Sequence, residues 1–115
     1  MTETIEIVIK GKSYRTEPLT VGKLVDLTKM RNTLTNGQYG QIYRHALVNS
    51  DNSLQAIDIQ AFFMVFCPSL IKDLKVDAIF DLGIEDYKEI KDIYKAQVQT
   101  WLIEVESLLR DNTNE

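Results

Sequence analysis

The 115-residue sequence has little cysteine, histidine, proline and glycine, and it has no long apolar run. Its single cysteine, Cys67, cannot form an internal disulfide, so nothing indicates an oxidising compartment. With one histidine, His45, and no CxxC or HxxxH spacing, no zinc site is predicted. The most apolar stretch, FFMVFC at 62–67, is far shorter than the about 20 residues that span a bilayer.

Basic residues are also in the minority, with 13 Lys and Arg against 17 Asp and Glu and a formal net charge of −4. An acidic chain is a poor partner for nucleic acid. The segment NGQYGQ at 36–41 has no phosphate-loop lysine, and MTETIEIVIKGK at 1–12 lacks the basic and apolar parts of a signal peptide. We therefore expect a cytosolic protein that binds no nucleic acid, membrane or cofactor.

Few residues are candidates for catalysis. Cys67 and His45 fall on different predicted helices, so no base is placed beside the thiol, and a small buried cysteine is the simpler interpretation. Two carboxylate pairs stand near predicted helix starts, where the helix dipole favours acidic side chains: Glu85/Glu89 and Asp77/Asp81. We expect a protein that is not an enzyme, with no catalytic, cofactor-binding or metal-binding residues.

The remaining pattern predicts a mainly α (α+β) single domain over residues 1–115. Ile5, Ile7 and Ile9 alternate with polar or exposed positions around a KGK turn, which predicts a β-hairpin over 1–17 that must pack on something. Residues 20–110 are predicted to form a compact bundle of about four to five helices. Thr20 is the predicted N-cap of the first helix, and Asn36-Gly37 its end. Residues 111–115 are predicted to be a flexible tail.

Two helices carry most of the apolar residues. The helix predicted at 53–66 is apolar nearly all round, so Phe62, Phe63 and Phe66 are expected in the core. The last helix, about 85–110, has an apolar face of about 22 residues, or roughly 33 Å. Such a face is long enough to extend past a small core, so we predict that it binds a partner through Tyr94, Trp101, Val105, Leu108 and Leu109. The alternative is that the isoleucines of the hairpin cover this end.

Several stretches together resemble the small tail assembly chaperones of tailed bacteriophages and prophages. They are EPLTVGKLVDL at 17–27, the Cys67-Pro68 step and LGIEDYKEI at 82–90, together with the opening hairpin. The resemblance spans most of the chain but rests on packing and turn patterns, because such proteins have no catalytic signature.

The resemblance implies a non-enzymatic factor of the host cytoplasm. Such chaperones coat the apolar helical tape-measure protein, keep it soluble and help to recruit tail tube subunits, and self-association is possible. Some of these chaperones also exist in a longer, frameshifted form whose extension binds tube protein. The resemblance implies that this sequence corresponds to the short form. The tape-measure protein is therefore the expected partner, and the tail tube protein only a possible one. The first alternative is a structural virion protein, an adaptor or decoration protein retained in the particle. The second is a small enzyme that uses Cys67 or a carboxylate pair.

Overall fold

The strands and helices follow the predicted order. The computed structural model describes residues 4–49 and 53–109, apart from the side chains of residues 48 and 49, so the predicted tail at 111–115 lies outside it. The elements are β1 Glu6–Ile9, β2 Lys12–Arg15, α1 Val21–Leu34, α2 Tyr39–Asn49, α3 Ser53–Phe66, α4 Pro68–Asp73, a 3₁₀ turn Ile79–Asp81, and one long helix composed of α5 Ile84–Ile93, a π-helical segment Tyr94–Val98 and α6 Gln99–Leu109. The predicted fold class, mainly helical with an amino-terminal hairpin and a long carboxy-terminal helix, is confirmed.

A two-residue turn closes the hairpin. Lys10 and Gly11 both have positive φ, 54° and 76°, which is the combination that a type I′ turn requires. The resulting register places Ile7 opposite Tyr14. Ile7, Ile9 and Tyr14 are all buried, so the predicted isoleucine face packs on the rest of the chain.

Polar contacts hold the hairpin on the helices. The Lys10 backbone N–H donates to the Glu89 carboxylate at 2.9 Å, and Lys10 Nζ lies 2.8 Å from Asp86 Oδ1. On the second strand the Tyr14 hydroxyl donates to Asp73 Oδ2 at 2.8 Å. Burial, with this hydrogen bond, raises the pKa of Tyr14 to about 12. Since β1 also packs on α5, the hairpin covers the amino-terminal part of the long helix.

The first helix begins and ends at the predicted residues. Thr20 Oγ1 accepts the Lys23 N–H at 3.1 Å and so caps the helix. Asn36 and Gly37 have positive φ of 54° and 82°, and the Gly37 N–H donates to the Asn32 carbonyl at 2.7 Å. Asparagine and glycine tolerate this left-handed conformation best, so the chain leaves the helix here and turns towards α2.

The central element is α3. Phe62, Phe63 and Phe66 are completely buried, and Val65 is buried too, whereas Met64 reaches the surface. α3 packs against α1, α2, α4 and the 3₁₀ turn, which is why it is apolar nearly all round. The prediction that the most apolar stretch forms the core is confirmed.

The long helix departs from the uniform helix that the sequence predicts. Its π-helical segment is marked by the Gln99 N–H, which donates to the carbonyl of Tyr94, five residues earlier. In an α-helix, residues four apart drift by about 40° around the axis, because each residue turns the chain by about 100°. That drift would rotate the row Ile90, Tyr94, Val98 and Leu102 out of the core. The wider π turn reduces it, and all four side chains are buried.

Candidate partner-binding surface

The five predicted partner-binding residues lie in two different environments. Tyr94, Trp101 and Val105 are only 4%, 3% and 5% exposed, whereas Leu108 and Leu109 are 66% and 60% exposed. The first three belong to the core and offer no surface to a partner, which corrects the prediction for them. Leu108 and Leu109 are accessible, and their binding role stays a prediction.

The division between these environments marks the place where the core ends. The Trp101 ring packs against the rings of Phe62 and Phe66, with centroid distances of 6.4 and 5.9 Å. Phe66 is the last residue of α3. Leu109 lies on the same side of α6 as Val105, since residues four apart share a helix face. Leu109 is nevertheless exposed. The last turn of α6 therefore extends past the core that covers Val105.

The hairpin does not cover this last turn. It packs on α5, and Lys10 in its turn reaches Asp86 and Glu89 at the other end of the long helix. The alternative in which the isoleucine face covers the end of the helix is therefore wrong for the two exposed leucines.

A third exposed apolar residue on α6 was not among the predicted ones. Ile103 faces away from the core, and it lines a shallow groove along the helix with Thr100, Glu104, Ser107 and Leu108. A single aliphatic residue on a polar face gives no periodic signal, so sequence reasoning had no means to select it. We call Ile103, Leu108 and Leu109 the carboxy-terminal apolar surface.

The apolar face of α2 is only partly covered. Tyr43 is exposed, and Leu47 is 68% exposed. Ile42 and Ala46 are half-buried, and none of the residues 39–47 is fully buried. The amphipathic helix that the spacing predicts therefore forms, but a large part of its face meets solvent.

A polar cluster joins α2 to α1 and α3. The Tyr39 hydroxyl donates to Asp58 Oδ1 at 2.6 Å, and Arg31 Nε lies 3.1 Å from the same oxygen. The Arg31 Nε–H has no hydrogen-bond partner, so this close approach is an ionic contact without a directed hydrogen bond. Burial raises the pKa of Asp58, although Tyr39 and Arg31 act in the opposite direction. The cluster orients α2; its sequence signal is weak because Arg31 shares a face with apolar residues.

The only cysteine is buried at the start of α4. Its Sγ lies 3.9 Å from Ser69 Oγ, and burial raises the pKa of the Cys67 thiol. A nucleophilic cysteine needs the opposite, a lowered pKa and an accessible sulfur. His45, the only histidine, is exposed on α2. This environment favours a structural thiol.

We expect Cys67 to react with a thiol reagent about 100-fold more slowly in the folded protein than in urea, because labelling requires a local opening of the fold. The rate of modification at both conditions is the measurement, and Cys67→Ser is the blank. Rapid labelling of the folded protein would show that the sulfur is accessible and would restore the thiol as a candidate nucleophile.

The remaining chemical candidates are a metal site and the carboxylate pairs. Across residues 4–49 and 53–109, no three His, Cys, Asp or Glu side chains gather closely enough to hold a metal ion. In the Glu85/Glu89 pair, Glu89 accepts the backbone N–H of Lys10, so that carboxylate has a structural role. Within the same residues, no helix combines the length and the apolar character that crossing a membrane needs.

Comparison with protein-family models, with curated proteins and with solved structures finds no match to this chain. The functional argument therefore rests on the surface of this chain, where the apolar end of α6 is uncovered.

Proposed function

We propose that this protein is a tail assembly chaperone of a tailed bacteriophage or prophage. It binds apolar helical segments of the tape-measure protein in the host cytoplasm and keeps them in solution until tail tube subunits replace it. It acts by binding and catalyses no reaction.

The observation that carries this proposal is the end of α6. Leu108 and Leu109 continue the core-facing side of the long helix, yet they are exposed because the core ends at Val105. An amphipathic helix with uncovered apolar residues suits helix-to-helix recognition, in which a partner helix buries the same kind of side chain. Ile103 faces away from that side, but it borders the same shallow groove as Leu108.

The charge of the chain supports the same role. A net charge of −4 keeps the protein in solution while it carries exposed aliphatic side chains. A chaperone for an apolar helical protein needs both properties, because the complex must stay dissolved after the partner is bound.

The experiment is co-expression with the tape-measure protein encoded in the same phage or prophage genome. We expect wild type to keep the tape-measure protein soluble and to co-purify with it, and the variant Leu108→Glu/Leu109→Glu to lose both effects while its melting temperature changes little. Leu47→Glu is the matched control, since it places the same charge at a leucine that is equally exposed, 68% against 66%, but lies on α2.

Two outcomes would contradict the proposal. One is a Leu108→Glu/Leu109→Glu variant that binds the tape-measure protein as well as wild type does. The other is a protein that remains in purified phage particles in stoichiometric amounts, because a chaperone leaves during assembly whereas an adaptor or decoration protein stays.

A further inference from the structure

The helix α2 lies outside the hydrophobic core. Among the described residues, neither the core nor the half-buried apolar side chains that pack against it include a residue of α2. Ile42 and Ala46, the half-buried aliphatic residues of this helix, are therefore not part of the core. A segment with few buried apolar contacts opens more readily than the core does.

Tyr39, the first residue of α2, attaches the helix to its neighbours. Its hydroxyl donates to Asp58 Oδ1 of α3 at 2.6 Å, and Cζ of Arg31 in α1 lies 5.4 Å from the centre of its ring. Burial, together with Asp58, raises the pKa of Tyr39, so the hydroxyl keeps its proton and stays a donor near neutral pH. Because the acceptor is a carboxylate, this hydrogen bond is of the stronger, charge-assisted kind.

The position of α2 in the structure also has a cost at this cluster. The Arg31 Nε–H is buried without a hydrogen-bond partner, and burial raises the pKa of Asp58. Each of these observations means that a charged group has lost water without full compensation. The Tyr39 side chain contacts both groups, so its departure lets water reach them and offsets part of the contact energy that is lost.

The connection between α1 and α2 is built like a hinge. α1 ends at Leu34 and α2 begins at Tyr39, so the connection consists of residues 35–38. Within it, Asn36 and Gly37 have positive φ values of 54° and 82°. Glycine adopts either sign of φ at low cost, so Gly37 can absorb a change in chain direction. A movement of α2 therefore need not disturb α1.

We propose that α2 is a latched helix: it leaves α3 and unfolds locally while the rest of the domain stays folded, and the contacts of Tyr39 with Asp58 and Arg31 are the latch that keeps it in place. Opening frees Ile42 and Ala46 and uncovers the part of α3 on which α2 packs. The molecule therefore exposes more apolar surface when α2 is open than when it is closed. The inference concerns the fold alone, so it does not rest on the proposed function.

Hydrogen exchange of the full-length protein, followed by nuclear magnetic resonance, tests whether α2 opens separately. We expect the amides of α2 to exchange about 100-fold faster than those of residues 59–66 in α3, because α2 exchanges by local opening and α3 only when the whole domain unfolds. Low concentrations of urea should leave the exchange of α2 almost unchanged, since a local opening exposes little surface. Equal protection of the two helices overturns the proposal.

A core variant separates local opening from global unfolding. Ile9 is a buried residue of β1, the strand that packs on α5. Ile9→Val should speed the exchange of α3 about fivefold, the effect of removing one buried methylene, and leave α2 at the wild-type rate. The reason is that the packing of Ile9 is lost in global unfolding but is kept when α2 opens alone. If Ile9→Val speeds α2 as much as α3, then α2 opens only together with the domain and the proposal fails.

The latch is tested by removing one hydroxyl group. Tyr39→Phe keeps the ring and should speed the exchange of α2 about 10-fold, the effect of losing a hydrogen bond to a carboxylate. Tyr43→Phe is the matched control, because it makes the same substitution on the same helix at an exposed side chain, and its α2 should exchange at the wild-type rate. An unchanged rate in Tyr39→Phe, or an equal acceleration in both variants, shows that the contacts of Tyr39 are not the latch and overturns the proposal.

Discussion

Replacing Phe62 by alanine is expected to lower the free energy of unfolding by about 3–5 kcal/mol, the usual range for a fully buried phenylalanine. Phe62 has no exposed surface. Its ring lies 5.3 and 4.8 Å from those of Phe63 and Phe66, and 6.0 and 6.4 Å from those of Tyr94 and Trp101. The truncation therefore removes two of the ring contacts between α3 and the long helix, together with two ring contacts inside α3. A domain of ordinary stability, about 5–15 kcal/mol, loses much of its margin.

Urea unfolding measures this loss, and Met64→Ala is the control on the same helix. Met64 is partly exposed, so its truncation is expected to change the free energy of unfolding by about 1 kcal/mol or less. If Phe62→Ala is no more destabilised than Met64→Ala, then α3 is not the centre of the core.

The second large effect is expected from Val105→Glu. Val105 is buried, so glutamate there places an uncompensated charge in the core and should destabilise the fold by about 3–5 kcal/mol. Glu104 and Glu106, its neighbours in the chain, add repulsion. Leu109→Glu, one turn later on the same side of the helix, is expected to stay within about 0.5 kcal/mol of wild type, because that position is exposed.

The comparison of these two variants locates the boundary of the core. Thermal melting and urea unfolding of both, measured together with wild type, give the two differences in stability. Equal losses at residues 105 and 109 would place Leu109 in the core and remove it from the carboxy-terminal apolar surface. Equal tolerance at both positions would instead show that Val105 is accessible in solution.

Local patterns predict the elements of this fold well. The alternation of Ile7 and Ile9, the turn at Lys10-Gly11 and the cap at Thr20 are all realised in the structure. Each of these signals acts within a few residues, so no neighbour is needed to interpret it. The central position of α3 was also predictable, because a helix that is apolar on every side has no face to offer to solvent.

The sequence could not say where the core ends. The spacing of Trp101, Val105 and Leu109 shows that they share one face, but burial depends on which element lies beneath that face. α3 ends at Phe66, which packs on Trp101, and the burial of the long helix continues for only one more turn, to Val105, before Leu109 is exposed. The predicted site was therefore partly wrong, since it treated the whole apolar end of the helix as one surface.

The π-helical segment was visible in the sequence only in retrospect. Ile90, Tyr94, Val98 and Leu102 recur every four residues, which a regular α-helix cannot keep on one side. The same recurrence is compatible with an apolar face that simply drifts around the helix. Only the packing against α3 decides between these possibilities, and it favours the wider turn.

The contact between Lys10 and Glu89 also sets an order of events during protein synthesis. The hairpin leaves the ribosome before the helix on which it packs, since Glu89 follows Lys10 by 79 residues. Protein synthesis adds about 5–20 residues per second, so α5 is made about 4–16 s after the hairpin. During that interval the isoleucine side chains of the hairpin remain uncovered. A hairpin alone is only marginally stable. We therefore expect a protease to cleave nascent chains truncated at residue 83 within the hairpin. The released 115-residue chain should resist cleavage at the same place, because the long helix covers the hairpin. The hairpin is thus made before the helix that secures it, and every new copy passes through an interval in which the hairpin is open to proteases.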